Sequence, residues 1–282
     1  MSSSYSLLDF GSGQRLEQWG EFRLIRPDPT ALDSPSDPSL WTSADAQYIG
    51  EKGKGEWRKN GEMPEQWEVT FGDIKLITKL APYKHTGVFP EQQGNWQWAR
   101  ELSKNRALTV LNLFAYTGGA TVALARDGHH ITHVDASKPA ISWAKENAEL
   151  NQLSPDRVRW MLEDAPLFVS RELKRGKKYD AIIIDPPAFG HSPSGSTWRV
   201  ERDLRPLLEN CAMLLSDTPA FIILNGYAKH DTPESFHRLL TGILHSKTSH
   251  KNFRIEAADL MLHAEDGRTL STGSRVRCSF SS

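Results

Sequence analysis

Cysteine is scarce in this 282-residue sequence, which has only Cys211 and Cys278. The two stand far apart, at a spacing that suits neither a metal site nor a local disulfide. A disulfide framework is therefore not expected, and such sparing use of cysteine is typical of proteins from a reducing cytoplasm. We expect no bound metal.

The sequence also lacks an excess of one charge and a long apolar run. Its formal net charge is −1, so no overall positive field points to nucleic acid, although local basic patches are compatible with that total. No apolar stretch approaches the roughly 18 residues of a membrane-spanning helix, and residues 1–4 do not resemble a signal peptide. These absences favour a soluble, cytoplasmic α/β protein without a membrane partner.

What the sequence does contain is a strand–turn–helix–strand pattern at residues 108–137. An apolar strand leads into the turn Gly118-Gly119, a helix follows, and the next strand ends at Asp135. Glycines let the backbone approach a ligand closely, and a carboxylate about 20 residues further on can accept hydrogen bonds from both ribose hydroxyls. The pattern therefore indicates a site for a nucleoside cofactor.

The same turn lacks the spaced glycines of phosphate-binding loops, both G-x-G-x-x-G and G-x-x-x-x-G-K-[ST]. A ligand with ribose and adenine but no phosphate fits better, and S-adenosylmethionine (SAM) is such a ligand. Two later strands end in acidic residues as well. Glu163-Asp164 follows the third strand, where a carboxylate can accept from the adenine amine. Asp185 follows the fourth, at the crevice where open α/β sheets bind ligands.

The remaining sequence falls into two regions that differ in composition and in their pattern of predicted strands and helices. Residues 1–83 predict short strands between loops rich in Pro, Gly, Ser and Asp, which indicates a small, mostly β N-terminal module. Its four tryptophans either pack the module's core, which we favour, or partly line a substrate cleft. Residues 84–282 alternate strands and helices and end in a hairpin over 253–280. They predict a Rossmann-like α/β domain whose mostly parallel sheet carries an antiparallel C-terminal hairpin.

Several motifs resemble class I SAM-dependent methyltransferases, and within them the branch of bacterial 23S ribosomal RNA cytosine-C5 methyltransferases and their uncharacterised relatives. The matching segments at or near strand ends are 112–119, 134–137, 147–151 and 185–189. Residues 84–92 resemble the signature that precedes the first core strand in this branch, although Gln93 stands where the family often has arginine.

The resemblance implies a cofactor site at the strand ends. The cofactor-binding residues that it implies are Glu91, Gln92, Phe114, Ala115, Thr117, Gly118, Gly119, Asp135, Ala136, Ser137, Asp164 and Asp185. In this set the residues from Phe114 to Gly119 would surround the methionine moiety, Asp135 would hold the ribose hydroxyls and Asp164 would face the adenine amine. Two plainer explanations compete: the two glycines can form a tight turn, and Asp164 can cap the next helix. Asn147 and Asn151 are expected at the surface and cap of a helix.

The cysteine that cytosine-C5 chemistry needs is missing from its usual places. Pyrimidine C5 is methylated after a thiolate adds to C6, and in the RNA cytosine enzymes that cysteine follows the fourth or fifth core strand. Neither place has one here. Cys211 in a predicted helix and Cys278 in the last strand are predicted to be packing residues. The usual cytosine-C5 route is therefore not expected.

Residues 185–189 suggest an amine acceptor instead. In amine-modifying methyltransferases a D/N-P-P-aromatic loop accepts hydrogen bonds from the target NH2 while the aromatic ring stacks on the base. Asp185, Pro186 and Phe189 are accordingly the predicted catalytic residues, although Ala188 adds one residue before the ring.

The next segment, 191–199, is polar and is predicted to be a flexible lid or a substrate loop. Basic residues nearby either meet phosphates or belong to a solvated helix face; they are Arg199, Arg202, Arg205 and Lys229.

Three functional hypotheses remain open. The first is a SAM-dependent methyltransferase that acts on RNA, ribosomal RNA above all. The second is a small-molecule or protein methyltransferase, which the near-neutral charge favours because tight RNA binding relies on clustered cations. The third is a module that binds SAM without catalysis. The sequence leaves the oligomeric state and the role of the N-terminal module open.

Overall fold

The computed structural model describes residues 3–51, 54–191, 197–228 and 231–281. Its helices are α1 Gln93–Leu102, α2 Gly119–Arg126, α3 Lys138–Leu150, α4 Ala165–Lys174, α5 Val200–Met213 and α6 Pro233–Lys247. The N-terminal strands are β1 Tyr5–Gly11, β2 Gln14–Trp19, β3 Phe22–Pro27, β4 Ala46–Glu51, β5 Lys54–Lys59, β6 Gln66–Phe71 and β7 Ile74–Lys79. The later strands are β8 Thr109–Leu113, β9 His130–Asp135, β10 Val158–Leu162, β11 Ala181–Ile184, β12 Phe189–His191, β13 Thr197–Arg199, β14 Phe221–Gly226, β15 Phe253–His263 and β16 Thr269–Phe280.

One compact unit comprises residues Met1–Gln93 and Met261–Thr272. Strands β1 to β5 form one sheet in sequence order, and β6 pairs with β7 in a separate hairpin. The sequence at 71–74 is typical of a hairpin turn, and such a turn joins β6 to β7, with Gly72 at a φ of 66°. The sequence at 53–55 is typical of a hairpin turn as well, but Gly53 lies outside the described residues. The domain boundary predicted at 83/84 falls within this unit and stays a prediction.

The tryptophans of this unit pack its β core, as predicted. Trp19 is fully buried. The other three donate their indole N–H groups inside the unit: Trp41 to Asp9, Trp57 to the carbonyl of Ala81, and Trp67 to the carbonyl of Trp19.

The second unit, Gly94–Leu260 with Gly273–Ser282, is built on the larger sheet. That sheet has the strand order β10-β9-β8-β11-β14-β16-β15. Its first five strands run parallel, and β16 runs antiparallel to β14. This confirms the predicted α/β fold with an antiparallel C-terminal hairpin. The chain order reverses between β8 and β11, so the carboxyl ends of these two strands mark the switch point where such sheets bind ligands.

Helices cover both faces of this sheet because its central strands are apolar on both sides. On one face Ile182 and Ile184 of β11 join a core cluster with α4, α5 and α6. On the other face Ile183 packs with residues of α1 and α2. In the described part of the chain, no helix combines the length and apolar character needed to cross a membrane.

Candidate active site

The turn after β8 has an unusual backbone. Phe114, Tyr116 and Gly118 all have positive φ, at 56°, 48° and 84°. Residues other than glycine rarely adopt this conformation, and each such residue stores about 1–3 kcal/mol of strain that its surroundings must hold in place. The segment predicted to bind the cofactor is therefore a strained turn.

Three hydrogen bonds hold this turn. Tyr116 N–H donates to Oδ2 of Asp135 at 2.8 Å, and Ala115 N–H donates to the carbonyl of Val134 at 3.1 Å. The side-chain amide of Asn147 donates to the carbonyl of Thr117 at 2.8 Å. Asn147 is fully buried, so its expected place on the helix surface was wrong. It ties α3 to the turn.

Close packing explains the paired glycines. A Cβ at Gly119 would lie 2.5 Å from Cζ2 of Trp96, and a Cβ at Gly118 would lie 3.1 Å from Cβ of Ala144. The two glycines therefore form the tight turn and also let α1 and α3 approach it closely. The adjoining Phe114 is half-buried, and Ala115 and Thr117 are buried.

Asp135 lies at the end of β9 and anchors two loops. Its Oδ2 accepts from Tyr116 and its Oδ1 accepts from Ser137 N–H, both at 2.8 Å. Burial raises the pKa of this carboxyl, while the two backbone donors act in the opposite direction. Ser137 then caps α3 by accepting from Ala140 N–H at 3.3 Å, and Ala136 is half-buried between them.

Three buried polar side chains, which the sequence analysis did not single out, are hydrogen-bonded to one another next to the turn. The Asn112 amide donates to the Thr121 hydroxyl at 3.0 Å, and Thr121 Oγ1 lies 2.9 Å from Nδ1 of His133. Burial lowers the pKa of His133 to about 3, so this imidazole is neutral and can accept from Thr121. The sequence contained a signal for this cluster, because polar residues interrupt otherwise apolar strands at Asn112, His130 and His133.

Asp164 caps α4, as the plainer explanation proposed. Its Oδ1 accepts from Leu167 N–H at 3.3 Å. The preceding Glu163 N–H donates to the carbonyl of Asp135 at 3.0 Å, which sets the end of β10 beside the end of β9. A carboxylate has acceptor sites for several donors, so capping is compatible with an adenine contact.

Glu91 and Gln92 belong to the first unit, in the short 3-10 turn Pro90–Gln92, and both are buried there. Burial raises the pKa of Glu91. Their place beside the cofactor stays a prediction.

The turn after β11 begins at Asp185, whose N–H lies 3.4 Å from the carbonyl of Leu113. The Tyr227 hydroxyl donates to Oδ1 of Asp185 at 3.0 Å. Pro186 is buried, and the carbonyl of Pro187 accepts from the Trp198 indole at 2.7 Å. Asp185 is thus bonded to the end of β8 and to Tyr227, which follows β14, while Trp198 holds the turn two residues further on.

The described ends of the predicted lid are ordered by strand pairing, which corrects the expectation of a loop throughout. β12 and β13 pair antiparallel, with Phe189 opposite Arg199. Residues 192–196 lie outside the described residues. Trp198 packs at 4.9 Å from the ring of Phe114, which links this ribbon to the turn after β8. The Phe189 ring is 50% exposed, with the Arg199 guanidinium 5.6 Å from its centroid.

Both cysteines are packing residues, as predicted. Cys211 of α5 and Cys278 of β16 are buried in the same core cluster. Burial raises the pKa of the Cys211 thiol far above its usual range and that of Cys278 to about 12, so neither is a thiolate near neutral pH.

The basic residues of α5 are largely paired with acids on the same helix. Arg202 bonds to Asp203 at 2.7 Å, and Arg205 lies 3.9 Å from Glu209. This arrangement favours the solvated-face explanation over phosphate contacts. Lys229 lies outside the described residues.

Comparison with known proteins agrees with this geometry. The profile of the S-adenosylmethionine-dependent methyltransferase family matches residues 46–227. A SAM-dependent methyltransferase from Agrobacterium tumefaciens is 36% identical, with a TM-score of 0.92 over 98% of this chain and 90% of that one. SMU.776, a protein assigned as a methyltransferase and crystallised with S-adenosylhomocysteine (SAH), is 19% identical, with a TM-score of 0.77 over 98% of this chain and 75% of that one, and so shares the fold.

A curated relative carries an RNA-related name. The ribosomal RNA large subunit methyltransferase K/L of Syntrophotalea carbinolica is 32% identical over 181 residues, which are 64% of this chain and 25% of that protein. The chain thus spans about a quarter of the length of the curated relatives it matches. The family profile, the Agrobacterium relative and the strand-end geometry agree, and the chain belongs to the family of S-adenosylmethionine-dependent methyltransferases.

Proposed function

We propose that this methyltransferase transfers the SAM methyl group to a nitrogen of an RNA base, with the turn at Asp185 as the acceptor site. One observation supports the proposal most directly. Three adjacent strands end side by side: β9 ends at the hydrogen-bonded carboxylate of Asp135, β8 at the strained glycine turn, and β11 at the carboxylate of Asp185. The two carboxylates flank the switch point from opposite sides.

The β8–β10 half of this edge suits the cofactor. The turn from Phe114 to Gly119 would receive the methionine moiety, because hydrogen bonds fix its backbone at the switch point of the sheet. Asp135 would accept from the ribose hydroxyls through lone pairs that its backbone donors do not use. Asp164 would accept from the adenine amine while it caps α4.

The Asp185 half suits a nitrogen acceptor. A carboxylate and a prolyl carbonyl that accept the N–H groups of the target leave the nitrogen lone pair directed at the methyl carbon. Because the Pro187 carbonyl already accepts from Trp198, we assign Pro186 as the second acceptor. SAM would supply the methyl group when bound: the nitrogen–carbon bond would form as the carbon–sulfur bond of SAM breaks, SAH would be the product, and the extra proton on the nitrogen would pass to water. Positioning would carry most of the rate.

The chemistry of the cysteines supports nitrogen over cytosine C5. Covalent addition to C6 requires a thiolate near the base, and both thiols are buried in the core with raised pKa values. Phe189, which is half exposed beside Asp185, would offer a stacking face to the base.

The choice of RNA rests on the ribosomal RNA methyltransferases that the chain resembles over 64% of its length. The test is nucleoside mass spectrometry of ribosomal RNA from a deletion strain. Complementing genes would encode the wild type, Asp185→Asn, or Asp217→Asn, a matched control at an exposed aspartate just before β14.

The proposal predicts one methylated nucleoside that is lost on deletion, restored by the wild type and by Asp217→Asn, and not restored by Asp185→Asn. An unchanged nucleoside profile in the deletion strain would refute the RNA substrate. Labelled SAM added to protein and metabolite extracts of that strain would then identify the acceptor class.

A further inference from the structure

We infer that Tyr227 is a positioning residue for methyl transfer: its phenol orients the Asp185 carboxylate toward the acceptor nitrogen. The inference rests on the proposed function, and it concerns a residue to which the sequence analysis gave no role.

The topology brings the two residues together. β11 and β14 are neighbouring parallel strands, with Ile184 opposite Leu224. Asp185 therefore leaves the sheet beside Asn225, and Tyr227 leaves it from the adjacent strand. The phenol donates to Oδ1 of Asp185 at 3.0 Å. The contact thus joins the ends of the two strands at the acceptor half of the edge.

Gly273 of β16 makes room for the tyrosine. A Cβ at Gly273 would lie 2.9 Å from Cδ1 of Tyr227 and 2.6 Å from the carbonyl oxygen of Gly226. Gly226 itself makes room for α6, because a Cβ there would lie 2.4 Å from the ring of Phe236. The Tyr227 ring therefore lies directly against the backbone of β16, in a place that a side chain at 273 would fill.

The next described residues beyond Tyr227 are bonded to each other and to β16. Asp231 accepts from the Ala228 N–H at 2.9 Å through Oδ2, and its own N–H donates to the carbonyl of Ala228 at 2.9 Å. The Ser274 hydroxyl on β16 donates to the carbonyl of Asp231. Ala228, the residue after Tyr227, is thus connected through Asp231 to β16, against which the Tyr227 ring packs.

Such a donor has a direct chemical consequence for Asp185. A carboxylate can rotate about its bond to Cβ, and a fixed phenol bonded to one oxygen selects one orientation of its plane. Hydrogen bonds to a carboxylate are stronger than those between neutral groups. The remaining lone pairs of the carboxylate then point in fixed directions, so the target nitrogen does not have to order them in the transition state.

The residue that follows β14 can also be compared with the family that the sequence resembles. In the RNA cytosine-C5 enzymes the nucleophilic cysteine follows the fourth or fifth core strand. Here the fifth strand, β14, is followed by a phenol that donates to the carboxylate after the fourth. The structure assigns to this place a device for orientation instead of covalent catalysis.

The test compares Tyr227→Phe with the wild type in methyl transfer from labelled SAM to RNA of the deletion strain. Phenylalanine keeps the ring and its packing and removes only the donor. We expect kcat to fall about 10- to 100-fold, as for loss of a hydrogen bond to a charged group. The KM for SAM and the Kd for SAH should stay the same, because the cofactor half of the edge is untouched.

A matched control is Tyr179→Phe. That phenol also donates to a carboxylate, Glu172, at 2.6 Å, but it precedes β11 and so lies at the opposite end of the strand from Asp185. We expect this variant to lose stability and to keep its kcat.

A double-mutant cycle shows whether Tyr227 acts through Asp185. In an Asp185→Asn background, Tyr227→Phe should change the residual kcat by less than about twofold, because the partner it orients is already altered. Equal and additive losses in both backgrounds would overturn the inference, as would a wild-type kcat in the single variant or a loss confined to stability. If the wild type itself transfers no label to RNA, the proposed function fails first, and that result is distinct from an active wild type with an unimpaired Tyr227→Phe.

Discussion

The two halves of the sheet's carboxyl edge are organised differently. In the β8–β10 half, the carboxylate of Asp135 is held by the backbone N–H groups of Tyr116 and Ser137. In the β11–β14 half, the carboxylate of Asp185 is held by the side chain of Tyr227, 42 residues further on, and the Pro187 carbonyl is held by the side chain of Trp198. One carboxylate is thus oriented by main-chain donors and the other by a side-chain hydroxyl. A substitution can remove the second kind of donor but not the first, so the two halves can be tested separately.

The largest expected effect is on the rate of methyl transfer, and it distinguishes the acceptor half from the cofactor half. Asp185→Asn should lower kcat for RNA methylation about 100-fold or more, since misplacement of the acceptor has effects of that order. Its Kd for SAH should change little, because the contacts proposed for the cofactor lie at Asp135, Asp164 and the turn after β8. Isothermal titration and labelled-methyl transfer on the same preparation would check this. A large loss of SAH affinity would show that Asp185 also belongs to the cofactor site, which would contradict the division into two halves.

Asp135→Ala should have the converse effect. Loss of a charged acceptor for two ribose hydroxyls should weaken SAH binding by about 1.5–3 kcal/mol, which is about 10- to 150-fold in Kd. The matched control is Asp156→Ala. This aspartate precedes β10 and therefore lies at the opposite end of the strand from the carboxyl edge. Unchanged SAH affinity in Asp135→Ala would remove Asp135 from the cofactor site.

Gly119→Ala tests the packing of the cofactor half. Its new Cβ would lie 2.5 Å from Trp96, a ring that is itself buried. Overpacking of this kind typically lowers the free energy of unfolding by about 1–3 kcal/mol, and displacement of the turn should weaken SAH binding as well. Gly242→Ala in α6 is the control, because a Cβ there meets no atom within 4 Å, and thermal unfolding of both variants would show the contrast.

Asn147→Ala should affect stability and SAH affinity together. The substitution leaves the buried carbonyl of Thr117 without the donor it now has, at a cost of about 1–3 kcal/mol. Part of that loss should appear as weaker SAH binding, since the strained turn loses one of its ties. Denaturant unfolding combined with SAH titration would measure both, and a stable variant with full affinity would show that Asn147 is dispensable to the turn.

The expected effect that is smallest at neutral pH concerns a buried histidine, and it appears only in acid. Burial lowers the pKa of His133 to about 3, whereas in the unfolded chain it is about 6.5. The unfolded state therefore takes up a proton first as the pH falls. Stability from this residue is complete above pH ~6.5 and decreases as the pH falls toward ~3, by up to about 1.4 kcal/mol per pH unit.

His85 in the first unit is shifted in the same direction, to about 3, so it adds to the acid sensitivity. His133→Gln should flatten the pH dependence of the free energy of unfolding, and the same change at the exposed His237 serves as the control. An identical slope in wild type and His133→Gln would contradict the burial argument.

The contrast between the halves also explains what the sequence could predict. Strands β8, β9, β11 and β14 are apolar runs with turn residues at their ends, so their ends, and with them Asp135 and Asp185, were predictable. Strand β1 was not, because serine, aspartate and glycine interrupt its apolar residues and it lies in a region rich in turn residues. The burial of Asn147 and its contact with Thr117 depend on how α3 packs, which helix periodicity does not specify at a polar residue.

Tyr227 illustrates the limit most clearly. The strand-end rule places it at the correct edge of the sheet, but its bond to Asp185 depends on the β11–β14 pairing and on the space left by Gly273. The pairing of β12 with β13 was hidden for a similar reason: each strand is three residues long. Such contacts are properties of the assembled sheet.

The most direct test of the proposed chemistry is to identify the methylated atom. RNA from the deletion strain would be incubated with the protein and SAM carrying a carbon-13 methyl group, and the labelled nucleoside would be isolated and examined by NMR and fragmentation. The proposed acceptor site predicts a methyl group on a base nitrogen, with the label absent from the Asp185→Asn reaction. A methyl group on pyrimidine C5 or on a ribose oxygen would contradict the account.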